Sequence, residues 1–335
     1  MNKSYTNSIT DVPGIKVGHA QDMQSLTGCT VILCEKGAVG GVDQRGGAPG
    51  TRETDVLRPM HLVNRVHAIV LAGGSAYGLD ASGGVMRYLE EKGIGFNTGP
   101  AKVPIVSSAI LYDLAIGDAK IRPDAQMGYE ACQNASTSNH QQGNVGAGTG
   151  ATVGKIFGTQ NSMKSGIGTA SIQISKDVFV GAIIAVNAFG DILDLNGKIL
   201  AGALPFSKGP IKLGEQVQFA NTLETMKTFV GQKILEFASK QNTVIGVVAT
   251  NAILTKEEAN KVAQMAHNGL AMTIKPAHTM LDGDTLFCMA TRQKRVDVNI
   301  VGAFAAEATA LAIINAVMSA EPVAGLKSAT SFINE

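Results

Sequence analysis

In the stretch KQNTVIGVVATNA, a polar Lys-Gln-Asn gives way abruptly at Asn242-Thr243 to an apolar, β-branched run that begins on a hydroxyl. A Thr hydroxyl is a weak nucleophile at neutral pH and needs a base beside it, and the free α-amine of an N-terminal Thr is one such base. That amine exists only if the chain is cut before Thr243. Its ordinary pKa of about 7.7–8.0 leaves a useful neutral fraction near pH 7, as a general base requires. A Thr that opens a buried strand is also ordinary strand chemistry, and these residues alone leave both readings open.

Asp282 and Asp284 flank a glycine in LDGDTLF. In an extended backbone both carboxylates project to one side, where they could hold an ammonium group or pass a proton; a simple Asp-Gly turn ahead of a strand is the alternative. The stretch offers too few oxygen ligands for calcium. GAGTGATVGK ends in Lys155 but has Ile156 where a phosphate loop needs Ser or Thr, so a nucleotide is not expected there. AGGSAYG is likewise not GxGxxG, although its amides could face a ligand or an oxyanion at a helix start. Tight packing is the alternative for both glycine loops.

These residues need elements to position them. TVILCEKGAVGGVD, Thr30 to Asp43, reads as two β runs around a Lys-Gly turn, a hairpin. VHAIVL reads as a buried strand that passes through AGGSAYGL into a helix closed by Gly93. Short β pieces around 103–112 and a helical stretch near 125–135 follow. DVFVGAIIAVNAFGDILDLNG reads as two strands joined by a turn at Asn187 to Gly190. Leu213 to Lys240 is more polar, partly helical, and ends as an exposed connector. Past the strand at Thr243, Thr255 and Glu258 form a capping box, with Ala259, Val262, Ala263, Ala266 and Leu270 at helical spacing. A strand at TLFCMAT and a long apolar helix from Val298 complete the set. Sheets with helices on their outer faces, a four-layer αββα sandwich, fit these pieces better than a regular βα alternation.

Composition narrows the function class. The 335 residues carry 45% hydrophobic and 16% charged side chains with net charge +1, which points to no disorder and to no attraction to nucleic acid or anionic lipid. Glu307 and Asn315 interrupt the segment Val298 to Ala320, so a buried helix is expected and a membrane span is not. The N-terminal residues lack an apolar run of the signal-peptide kind, and a cytoplasmic location is expected. The four cysteines form no CxxC pair and the six histidines show no HExxH spacing; structural thiols, no metal and no cofactor are expected.

Taken together and in this order, ITDVPGIKVGH, TGCTVI, LAGGSAYGL, SSAILYD, GAGTGATVGK, NTVIGVVATNA and MLDGDTLF resemble the DmpA and nylon-oligomer hydrolase family of self-processing N-terminal-nucleophile amidohydrolases. The ordered set spans nearly the whole chain. The resemblance implies one domain, 1–335, that cuts itself into an α chain, 1–242, and a β chain, 243–335, which stay associated. It implies Thr243 as nucleophile and Asp282 and Asp284 as supports of the new N-terminus. It also implies Lys155 as the lysine of the glycine loop, and Asn187 and Tyr112 around the scissile carbonyl. A small amide or short peptide as substrate and a homo-oligomer, a tetramer or similar, are implied as well. Thr with two Asp is closer to the nylon-oligomer hydrolases than to the DmpA branch, which carries Ser with a Ser/Glu pair. That departure leaves the subfamily and its substrate open: an aminopeptidase is the first expectation and an endo-amidase on 6-aminohexanoate oligomers the second. Ornithine acetyltransferase-like acyl transfer and an uncut ligand-binding protein remain as alternatives.

Overall fold

The computed structural model describes residues 5–205, 218–237 and 242–332. Its principal strands are β1 (Lys16–Asp22), β2 (Thr27–Gln44), β3 (Val66–Ala72), β4 (Val106–Ile110), β5 (Ile167–Ser175), β6 (Val178–Asn187), β7 (Thr243–Ala252) and β8 (Thr285–Lys294). The helices are α1 (Ala81–Glu91), α2 (Ala125–Gln133), α3 (Thr222–Lys227), α4 (Phe229–Phe237), α5 (Lys256–Thr273) and α6 (Val298–Met318). Nine strands hydrogen-bond in the order β5-β6-β7-β8-β2-β3-β4, closed by the short piece Thr51–Arg52, with β1 beside β2. The pairs β7/β8 and β3/β4 are parallel and the others antiparallel.

The expected hairpin over Thr30 to Asp43 is instead one strand of 18 residues. Gly37 takes φ +75°, which a glycine adopts at no steric cost, and here that conformation bends the strand without reversing it. The register against β3 jumps between Leu33 and Ala38. The first part of β2 therefore pairs with β1 and β3, and its end, Val39 to Gln44, pairs with β8. One bent strand joins the two halves of the sheet.

Side-chain alternation then decides the layers. On β7, Ile245, Val247 and Ala249 share a core with Ile69 and Leu71 of β3, while Val244 and Val248 face the core formed with α5 and α6. On β3, Ala68, Val70 and Ala72 face α1 and α2. Period-two alternation thus gives three apolar interfaces, helix on sheet, sheet on sheet and sheet on helix, which is the αββα order. Each fully buried Val, Leu or Ile contributes about 1.5–3 kcal/mol. The apolar helix α6 packs on β5 and β6, its Asn315 amide donating to the Thr169 carbonyl at 2.9 Å and its Glu307 exposed.

The two strands expected around a turn at Asn187 to Gly190 are present, β6 ending at Asn187 and a short strand opening at Asp191. That second strand, Asp191–Leu193, leaves the main sheet and pairs with Ile199–Ala201 and Ile274–Lys275. Asp191 there binds the Ala203 and Thr222 amides, at 2.9 and 2.6 Å, and anchors α3. Of the expected connector, 213–217 and 238–240 lie outside the described residues, and α3 and α4 are helical as read. All four cysteines are buried and free.

Candidate active site

Thr243 is the first residue of β7 and is buried, 4% exposed. On one side β6 runs antiparallel and sets Asn187 opposite Thr243. On the other β8 runs parallel, with Ile245 opposite Thr285, so the residues entering β8 come alongside Asn242 to Val244. A parallel bridge between Asn242 and Asp282 continues that register. Three segments distant in sequence converge on one peptide bond because β7 is interior to the sheet.

The Thr243 hydroxyl donates to the carbonyl oxygen of Asn242, the residue it follows. The same oxygen accepts the Gly283 amide at 3.0 Å. Asp284, 1% exposed, takes the Val244 amide on Oδ1 at 2.8 Å. Its Oδ2 accepts the His278 amide at 3.1 Å and His278 Nδ1 at 2.8 Å. Asp282, equally buried, accepts the Thr279 amide and hydroxyl on Oδ2 at 3.0 and 2.5 Å, and the Phe189 amide on Oδ1 at 3.5 Å. Burial, with the charge of Asp284, pushes the Asp282 carboxyl up to about 6 against the hydrogen bonds from Thr279.

Lys155 enters from the glycine loop, whose end is pinned by Gly154 and Lys155 amides donating to the Gly190 and Phe189 carbonyls at 3.0 and 2.9 Å. Its ammonium donates to the Asn187 carbonyl at 2.9 Å and to Asn187 Oδ1 at 2.7 Å. Burial lowers Lys155 to about 7, opposed by Asp282 and Asp113. Asn187 Oδ1 also accepts the Thr152 amide, and its Nδ2 donates to the Tyr112 carbonyl at 2.9 Å. Tyr112 joins this network through its main chain, while its half-buried side chain lines a small pocket with Asp113, Gly150, Thr152 and Lys155. All the residues singled out in the sequence thus gather around one point. A separate hollow of about 800 Å³, lined by Lys256, Arg292 and Arg295, contains none of them.

The structure adds groups that sequence reasoning missed. The Gly283 amide is a main-chain donor and leaves no side-chain signature. His278 stands six residues before Asp284 in AHTMLDGD, the same block that displayed the carboxylates. The loop at Arg45–Ala48 clamps this block through Arg45 N to Asp284 O at 3.0 Å and Ala48 N to Asp282 O at 2.8 Å. In the other glycine turn, the Gly74 amide is taken by Asp113 at 2.7 Å, so a protein carboxylate occupies that donor. Asp113 also accepts the Thr27 hydroxyl at 2.8 Å.

The model of peptidase family S58 matches residues 7–331. An uncharacterized aminopeptidase of Mycobacterium leprae is 42% identical, over 96% of this chain and 92% of its own length. A 6-aminohexanoate-oligomer endohydrolase of Kocuria sp. is 34% identical, over 84% of this chain and 74% of its own. Among solved structures, an L-aminopeptidase D-Ala-esterase/amidase from Ochrobactrum anthropi superposes with TM-score 0.68 at 20% identity, covering 94% of this chain and 86% of that one. That protein is described as a variant of the Ntn-hydrolase fold. A beta-aminopeptidase from Burkholderia sp. gives TM-score 0.68 at 21% identity, covering 97% and 90%.

Proposed function

This chain belongs to peptidase family S58, and from that membership we propose that it cuts itself between Asn242 and Thr243 and then uses Thr243 as its nucleophile. It is an N-terminal-nucleophile hydrolase of amide bonds, of the aminopeptidase/amidase type. The observation that carries the proposal is the Thr243 hydroxyl lying against the Asn242 carbonyl, whose oxygen already accepts the Gly283 amide.

In processing, Thr243 Oγ1 bonds to the Asn242 carbonyl carbon while the Gly283 amide holds the negative oxygen. The C–N bond breaks, the proton given up by Oγ1 passes to the nitrogen, which becomes the Thr243 α-amine, and an ester remains. Water hydrolyses that ester and releases the Asn242 carboxylate. The products are 1–242 and 243–335, one domain in two chains. The freed amine then accepts the Oγ1 proton as the hydroxyl attacks a substrate amide. That proton passes to the leaving amine, and water resolves the acyl-enzyme. Asp282 and Asp284 support the ammonium form of the amine and Lys155 opposes it, a balance that tunes it toward working pH. Asn187 Nδ2 and the Tyr112 hydroxyl are the side-chain donors assigned to the substrate oxyanion, an interaction worth roughly 3–4 kcal/mol for one good donor.

The 42% identical aminopeptidase supports small peptides or amino-acid amides as substrates. The Thr243, Asp282, Asp284 set and the 34% identical endohydrolase favour a second reading, an endo-amidase on 6-aminohexanoate oligomers. Turnover of amino-acid p-nitroanilides against linear amide oligomers separates the two. A homo-oligomer, a tetramer or similar, belongs to the same proposal; the exposed Met60 and Leu62 are compatible with it, and native mass measurement tests it. The deciding experiment is a denaturing gel beside an activity assay. Wild type gives two bands, of 242 and 93 residues, and Thr243→Ala gives one band and no turnover. Hydrolysis retained by Thr243→Ala overturns the assignment.

A further inference from the structure

We propose that His278 is a positioning residue for this reaction, fixing the carboxylate of Asp284 and, through it, the main-chain amide that follows the nucleophile. The proposal rests on the Thr243 reading and adds a group outside it. Two donors of one residue, the His278 amide and Nδ1, converge on Asp284 Oδ2 at 3.1 and 2.8 Å. The other oxygen is thereby left facing the Val244 amide at 2.8 Å. A carboxylate held at one oxygen alone pivots about its Cβ–Cγ bond; held at both, it is a rigid link from His278 to β7. In this contact the carboxylate oxygen accepts and Nδ1 donates.

The backbone shows that this arrangement is built. His278 adopts φ +59°, a left-handed conformation uncommon for a residue with a Cβ, and both donors reach the same oxygen from it. The ring is wedged as well as bonded. Among the described residues its buried Nε2 has no hydrogen-bond partner, and its neighbour is the His267 ring, 4.9 Å away centre to centre at 70°. His267 is itself tied to β2 through Nε2 and the Asp43 carbonyl at 3.0 Å. Asp284 also lies close enough to Asp282 for its charge to be felt there, so donors from His278 on Asp284 offset part of that repulsion.

Substitutions separate the ring from the backbone. His278→Gly accepts the left-handed φ and keeps the amide, losing only the imidazole. His278→Asn tolerates the same φ and places Nδ2 where Nδ1 stood. The expected result for His278→Gly is slower cutting and a kcat lower by on the order of 100-fold, with KM changed far less, as for a displaced reacting group. His278→Asn restores most of kcat. Parent-like kcat and cutting in His278→Gly, or no gain in His278→Asn over it, overturns the proposal. If His278→Gly does not fold, His278→Asp against His278→Asn decides, since the two side chains share a shape and Asn sets a donor against Asp284 where Asp sets a second carboxylate; equal activity overturns it. The two-band gel of wild type reports separately on the Thr243 reading: an active enzyme that stays in one piece sinks that reading, whereas a cut, active wild type matched by His278→Gly sinks only the role of His278.

Discussion

On the proposed cut before Thr243, Asp282 and Lys155 would pull in opposite directions on the new α-amine. A nearby carboxylate favours the ammonium form and raises its pKa, and a nearby ammonium disfavours it and lowers its pKa. The base must be neutral to act, so the acid limb of kcat/KM follows that pKa. Asp282→Asn is therefore expected to move the limb to lower pH, and Lys155→Met to higher pH, each by about one unit, measured on processed enzyme. Shifts in the same direction would exclude the α-amine as base. The carboxylate pair stood out in the sequence because two acids spaced by one residue share a side of an extended chain, and Thr243 because its hydroxyl opens an apolar run; it was the family resemblance, not those residues alone, that set both above a turn and ordinary strand chemistry. His278 was not, since its role comes from a left-handed φ and a contact six residues on that no periodicity encodes.

Between elements, the site depends on a close approach of two loops across the end of β8. A Cβ on Gly283 would lie 2.6 Å from the Ala48 carbonyl oxygen and 2.9 Å from Thr243 Oγ1, so neither the clamp nor the nucleophile could stay in place. Gly283→Ala is expected to cost roughly 1–3 kcal/mol of stability and to stop cutting, read by denaturant midpoint and gel. Thr255→Ala supplies the contrast. It removes the capping box of α5, in which Thr255 Oγ1 accepts the Glu258 amide at 3.2 Å, and should cost about 1 kcal/mol while cutting proceeds as in wild type. Cutting at the parent rate in Gly283→Ala would remove the close approach from the mechanism. The cap was readable because its chemistry is local: Thr and Glu three apart. The bend of β2 was not, because Lys-Gly reads equally as a turn, and only pairing with β3 on one side and β8 on the other makes it a bent strand. For the same reason the departure of Asp191–Leu193 was hidden, its partner Lys275 lying far along the chain.

At the scale of the molecule, the proposed cut falls inside the sheet and not between separable bodies. β7 is hydrogen-bonded to β6 from the α chain along one edge and to β8 from its own chain along the other. β8 in turn pairs with β2, so the two strands that the β chain gives to this sheet are bracketed by strands of the α chain. Both cores on that half are shared: Ile245, Val247, Phe287 and Met289 pack with Ile32, Ile69 and Ile183, while α5 closes over β2 and β8 and α6 over β5 and β6. Each such buried side chain holds about 1.5–3 kcal/mol, so drawing the 93-residue chain out exposes two cores at once and amounts to unfolding. The cut enzyme should therefore elute from a native sizing column as one species containing both chains, and in denaturant the chains should separate in the same transition in which secondary structure is lost. Release of the shorter chain in native buffer, with the longer one still folded, would show that β7 is not held as an interior strand and would take away the frame that aligns Thr243 with Asn187, Asp282 and Asp284.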